Sequence, residues 1–170
     1  FRARGGGDHG EAGQPPCKLD QDRTDTAGAA DNHQRARIDT LAGRNAEAKQ
    51  KLDALAAQHP RRLLALGFTD RMHKLMAASD LVVTKPGGLT VSECLAIGRP
   101  MLLISPIPGQ EEHNAGYLME EGAAWLAYDT IGVEYKIARL MTEPATLAAM
   151  AARSRALGKP QAARAVLDRV

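Results

Sequence analysis

The sequence predicts an α/β fold, a parallel sheet flanked by helices. Three observations carry this expectation. From residue 38 onward, short aliphatic runs alternate with longer segments of helical character. The connections between them are short, as in folds that return each helix across a parallel sheet. The runs Leu81-Val82-Val83-Thr84 and Met101-Leu102-Leu103-Ile104 read as strands buried on both faces.

The elements follow in order. Residues 38–42 read as a strand end, and 46–57 as a helix with Leu52 and Leu55 on one face. Leu63-Leu64-Ala65-Leu66 is a short strand, and 72–78 a helix whose Met72, Leu75 and Met76 fall at helical spacing. The strand at 81–84 leads to a helix over 90–97, stopped by Gly98 and Pro100. The strand at 101–104 precedes a helix over 113–121 that Gly122 ends. A strand at 124–127 and Ala/Leu-rich helices at 131–141, 144–156 and 160–169 complete the chain. Met72, Met76 and Trp125 are assigned to packing.

Residues 1–37 have a different texture. Phe1 and Leu19 are their only large aliphatic or aromatic side chains, and no period of 2 or 3.6 is present. Such a segment buries too little apolar surface to offset the entropy of ordering it. It is expected to be disordered or aberrant, with the domain proper at 38–170. One hypothesis is that 1–37 is read from a shifted frame. One of the other two frames of the parent DNA would have to encode a strand, glycine loop and helix for it to stand.

The 170 residues suit one ordinary domain. Apolar residues make up 44% and aromatics only 4%, so the core must be aliphatic. No apolar run nears the ~18 residues of a membrane span. A net charge of +2, spread along the chain, argues against nucleic acid as a partner. Cys17 and Cys94 make neither a metal cluster nor a disulfide framework, which fits a reducing cytoplasm.

In parallel sheets ligands bind beyond the carboxyl ends of strands. The turn Lys85-Pro86-Gly87-Gly88-Leu89-Thr90 opens a helix there. Backbone amides at such a helix start suit a phosphate or pyrophosphate. Glu93, one turn on, suits two adjacent hydroxyls of a ribose. The same residues also read as a tight turn followed by a favourable acid. The second loop, Ser105-Pro106-Ile107-Pro108-Gly109, delivers Gln110, Glu111 and Asn114. Amides and a carboxylate together read hydroxyls, as a sugar requires, while acids are favoured at any helix start. His113 is structural or exposed, and no metal-ligand spacing is present. Gly43-Arg44-Asn45 holds an N-cap, Asn45, with a ligand contact as the other reading. After Gly67-Phe68, Thr69 or Asp70 caps the next helix, and a flat base could lie against this loop.

Taken in order, Gly43-Arg44-Asn45, Gly67-Phe68-Thr69-Asp70, Met76-Ala77-Ala78-Ser79-Asp80, Lys85 to Glu93, Pro106 to Glu111 and Asn114-Ala115 resemble the C-terminal, donor-binding domain of the family 28 glycosyltransferases. The branch most resembled is that of the monogalactosyldiacylglycerol synthases and processive diacylglycerol glucosyltransferases. The likeness is dense over 38–125 and looser in the tail.

The resemblance implies a Rossmann-like domain, the C-terminal half of a GT-B fold, here incomplete at its N-terminus. It implies a UDP-sugar as substrate, with no cofactor and no metal. Gly87, Gly88, Leu89 and Thr90 would cradle the pyrophosphate, Glu93 the ribose, Gln110, Glu111 and Asn114 the sugar, and Phe68 and Thr69 the uracil. Gly43, Arg44, Asn45 and Lys85 are further candidates. No residue is assigned a catalytic role, because the family's acceptor site and general base belong to an N-terminal domain.

The expected function is donor binding in a hexosyltransferase that glycosylates a lipid such as diacylglycerol, with the acceptor reached through that other domain or a partner subunit. A separate donor-binding subunit of an N-acetylglucosaminyltransferase, a fragment that only binds nucleotide-sugar, and a UDP-sugar epimerase are the alternatives. The epimerase fits the two loops less well. The expected location is cytoplasmic or peripheral on the cytoplasmic membrane face. Lys136, Arg139, Arg153, Arg155 and Arg164 on the tail helices could touch an anionic bilayer; ordinary packing of amphipathic helices is the other reading.

Overall fold

The computed structural model describes residues 37–169. The segment expected to be disordered or aberrant therefore lies, apart from Arg37, outside the described residues. The chain forms two compact units, one ending at Thr69 and one beginning at Asp70.

The first unit is a β-α-β arrangement of β1 (Ile38–Leu41), α1 (Ala46–Gln58) and β2 (Leu63–Leu66). The strands pair in parallel from Ile38 opposite Leu63 to Leu41 opposite Leu66. Gly43, at φ 59°, makes the left-handed turn out of β1, which a side chain would oppose. Asn45 caps α1 as expected, its Oδ1 accepting from Ala48 N at 3.0 Å. No residue of α1 is fully buried, and Leu55 is exposed.

The second unit runs α2 (Met72–Ala78), β3 (Val82–Thr84), α3 (Gly88–Ile97), β4 (Met101–Ile104), α4 (Gln110–Glu120), β5 (Ala124–Ala127), α5 (Thr130–Thr142), α6 (Pro144–Leu157) and α7 (Ala162–Leu167). Its sheet has the order β3-β4-β5, all parallel. The central strand β4 is the core: Met101, Leu102 and Leu103 are fully buried. Met76, Val91, Cys94, Ala115 and Leu118 pack with Met101 and Leu103 from the flanking helices, and α5 packs on β4 and β5.

Three expectations change. The strand at 81–84 starts at Val82, and Val83 is 42% exposed rather than buried on both faces. In the sheet of this unit β3 is an outer strand, and its middle side chain stays partly in solvent. The cap of α2 is Arg71, whose side chain does not bond the first-turn amides, so neither Thr69 nor Asp70 holds that position. Helices α3 and α4 begin at Gly88 and Gln110, earlier than the apolar periodicity suggests, because first turns point their polar residues at solvent and leave no periodic trace.

Contacts at the far end of α3 fix its direction. Gly98 ends the helix at φ 74°, and a Cβ there would lie 2.0 Å from Arg155 Cγ on α6. A Cβ on Gly158, just past α6, would lie 2.3 Å from Leu95 O. Helix α6 thus lies tight against the C-terminal half of α3. With Val91 and Cys94 buried on its inner face, α3 is held by packing while its N-terminus stays open.

Candidate nucleotide-sugar site

The turn after β3 is built by subtraction. Pro86 is buried and sets the exit from the strand. Gly87 caps α3 at φ −68°, ψ 141°, with no side-chain cap and no acid in the first turn. The first bond of the helical ladder joins Val91 N to Gly87 O at 3.0 Å. The amides of Gly88, Leu89 and Thr90 therefore precede the ladder, at the positive end of the helix dipole.

Neither glycine is required by the fold. The φ of Gly87 suits any residue, and a Cβ there would meet only Glu111 Oε1, at 3.9 Å. A Cβ on Gly88 would meet nothing within 4 Å. Bare backbone at two such positions leaves room for a ligand to reach the amides. Leu89, 85% exposed, stands at the same opening. Glu93 is exposed and lies four residues after Leu89, on the same face of α3. One position further, Cys94 is fully buried. Burial pushes its thiol up to about 11, and the neighbouring Glu93 carboxylate adds to the rise.

The turn after β4 is built the opposite way. Ser105 sits at φ 43° and Gly109 at φ 100°. Glu111 Oε2 accepts from Ile107 N at 2.8 Å, and Glu112 Oε2 from Gly109 N at 3.2 Å. His113 Nδ1 lies 2.8 Å from Gly109 O, a structural role as expected. Asn114 Nδ2 donates to Pro86 O at 2.9 Å. Of the three sugar-reading candidates, Gln110 is exposed, while Glu111 and Asn114 are brought to the turn after β3. Lys85 is exposed beside that turn.

The remaining candidates belong to the first unit. Arg44 places its guanidinium 4.7 Å from the centroid of the Phe68 ring, which is 65% exposed. Thr69 is half-buried, and Gly43 and Asn45 shape the turn into α1. Gly67 follows β2 so closely to this turn that a Cβ on it would lie 3.9 Å from Gly43 O.

Sequence reasoning passed over two residues. Ser105 is the only described non-glycine residue at positive φ, a conformation of the kind that concentrates at functional turns; its position before a proline is the sole hint in the sequence. Glu112 closes the α4 start, and its spacing of three from Gly109 was the available signal.

Among the described residues, no three His, Cys, Asp or Glu side chains gather to hold a metal ion, and no helix is long and apolar enough to cross a membrane. Some of the tail's basic residues have partners within the second unit. Lys136 Nζ donates to Leu126 O. Arg139 pairs with Glu143 at 2.8 Å, which lowers the Glu143 carboxyl below its ordinary value, and it also lies over Trp125. Arg155 covers Gly98. Trp125 lines a cleft of about 410 Å3 with Met119, Tyr128, Tyr135, Lys136 and Arg139.

Comparison with known proteins decides the family. The Glycosyltransferase family 28 C-terminal domain matches residues 21–166. The chain belongs to this family. The family 28 chain is 42% identical over 84 residues to the processive diacylglycerol beta-glucosyltransferase of Bacillus subtilis (strain 168), covering 49% of this chain and 22% of that protein. It is 32% identical over 130 residues to the protein of the same name in Bacillus cereus (strain AH187), covering 76% of this chain and 34% of that one. It thus spans about a quarter to a third of the length of these curated relatives.

Among solved structures, MurG of Acinetobacter baumannii matches with a TM-score of 0.62 at 24% identity, over 79% of this chain and 43% of that chain. Anabaena HepE, solved in complex with UDP, matches with a TM-score of 0.55 at 20% identity, over 79% and 41%. At these identities the likeness is one of fold: parallel sheets flanked by helices, Rossmann-like, in a part of the GT-B architecture.

Proposed function

We propose that this family 28 chain is the nucleotide-sugar-binding part of a glycosyltransferase that adds a hexose from a UDP-sugar to a lipid acceptor such as diacylglycerol. One observation carries the reading: two glycines that neither conformation nor packing requires lay bare the amides of Gly88, Leu89 and Thr90 at a helix start without a side-chain cap. In this reading those amides receive the diphosphate. They take up the negative charge that grows on it as the sugar departs, by preorganised electrostatics rather than by a metal ion. Glu93 accepts from the ribose hydroxyls one turn along the same face, and Gln110 and Glu111 address the sugar. The names of the curated relatives support a lipid acceptor, and the UDP in the HepE structure supports the donor. The acceptor site and the general base belong to the remainder of such an enzyme, and the whole works at the cytoplasmic face of a membrane.

Calorimetric titration of the chain with UDP, UDP-glucose and UDP-galactose tests the donor reading. At ~100 times its dissociation constant the preferred ligand raises stability by about 2.7 kcal/mol. The substitution Glu93→Ala weakens UDP by about tenfold or more, the loss expected for a charged hydrogen-bond acceptor. A folded chain indifferent to all three ligands overturns the proposal; unchanged binding by Glu93→Ala removes only Glu93 from the site.

A further inference from the structure

Asn114 and Glu111 lie on α4, yet both reach the turn that opens α3. The bond from Asn114 Nδ2 to Pro86 O, at 2.9 Å, spans 28 positions of sequence and is partly buried. Proline has no N–H, so the carbonyl is the only backbone group by which Pro86 can be fastened. That carbonyl belongs to the peptide joining Pro86 to Gly87, the cap of α3. Its orientation sets the path of the backbone into Gly88. Glu111 lies near the same place: one carboxylate oxygen holds Ile107 N at 2.8 Å, and the other lies 3.9 Å from where a Cβ on Gly87 would stand. Since Gly87 and Gly88 have no side chains to pack, the turn would otherwise be among the most mobile in the sheet. The Asn114 bond supplies an order that the glycines cannot.

We infer that Asn114 is a positioning residue for the amides of Gly88, Leu89 and Thr90, fastening the diphosphate turn to the first turn of α4. The role rests on the nucleotide reading above and differs from direct contact with the sugar. It places the effect of Asn114 on the part of the ligand that UDP and UDP-glucose share.

The test compares the chain with its Asn114→Asp variant, which keeps the side-chain shape and replaces the donor by an acceptor. Two measurements are made: hydrogen exchange of the free protein, and titration with UDP and with UDP-glucose. The expected result is faster exchange confined to the amide of Val91, whose bond to Gly87 O opens the α3 ladder, and an affinity for both ligands lowered by the same factor, about tenfold for one lost hydrogen bond. A loss for UDP-glucose with none for UDP makes Asn114 a sugar-reading residue and overturns the inference. So does unchanged exchange at Val91, or a general rise in exchange throughout α3, β4 and α4, which marks a merely structural role. If Asn114→Asp fails to fold, Asn114→Ala is read by the same criteria. A wild-type chain without affinity for UDP defeats the proposed function, and the exchange measurement, which needs no ligand, still decides whether the fastening exists.

Discussion

Two turns of the second unit do the same structural work with opposite chemistry. Both leave a parallel strand and start a helix, and both use glycine as the cap, Gly87 for α3 and Gly109 for α4. At α4 two first-turn acids accept from the turn itself, Glu111 from Ile107 N and Glu112 from the cap amide Gly109 N, while no side chain caps the amides of Gln110, Glu111 and Glu112. At α3 the first turn has no acid and no side-chain cap. A helix start is an anion site by construction. The comparison shows that a protein can spend that site on its own carboxylates or keep it for something else. The α4 start is occupied by acids of its own, and the α3 start is free of them.

The strongest way to break the comparison is to close α3 as α4 is closed. Thr90 stands three residues after the cap Gly87, as Glu112 stands after Gly109. The variant Thr90→Glu is expected to lose UDP affinity by at least about 100-fold while gaining about 0.3–1 kcal/mol of stability from the dipole and cap. Titration and thermal melting read the two effects together. Retained UDP affinity shows that the open amides are not the ligand site.

A second prediction sharpens the contrast between the outer and inner faces of α3. Burial and the Glu93 charge hold the Cys94 thiol up at about 11. An unfolded thiol titrates near ~8.5. The folded value is the higher, so the stability is fully present below ~8.5 and is lost as pH rises through the folded value, by about 3 kcal/mol in all. Urea unfolding between neutral and alkaline pH should show a steeper decline in the parent than in Cys94→Ala. Parallel declines would mean that the thiol is not sequestered.

The smallest effect is expected from opening α4. The variant Glu112→Ala removes the carboxylate from Gly109 N and should cost about 1 kcal/mol in melting experiments, with UDP binding unchanged within about twofold on the same titration. A large loss of binding would extend the site to the α4 cap.

The two units differ in a way that bears on what could be read in advance. Every buried hydrophobic residue among those described lies at or beyond Leu75, in the second unit. There the run 101–104 proved to be the central strand, and Met76 joins the core as the spacing of Met72, Leu75 and Met76 implied. Such patterns are legible because burial imposes a period on sequence. In the first unit the reading rested on local chemistry instead, and Asn45 is its success: a cap is a bond across three residues, so sequence neighbours suffice to foresee it. The starts of α3 and α4 were misplaced because exposed first turns carry no period. The exposure of Val83 escaped notice because an apolar strand looks the same at the edge of a sheet as in its middle.

For this protein the amino-acid order alone determined the alternation of strands and helices, the aliphatic core and the place of the glycine turn, since each is set by residues near one another in the chain. Only the tertiary structure decided the rest. That Asn114 grips Pro86, that Glu111 bends back to Ile107, and that α6 clasps the far end of α3 are contacts between distant segments. Their geometry exists only once packing has brought the elements together, and no local pattern of residue types records it.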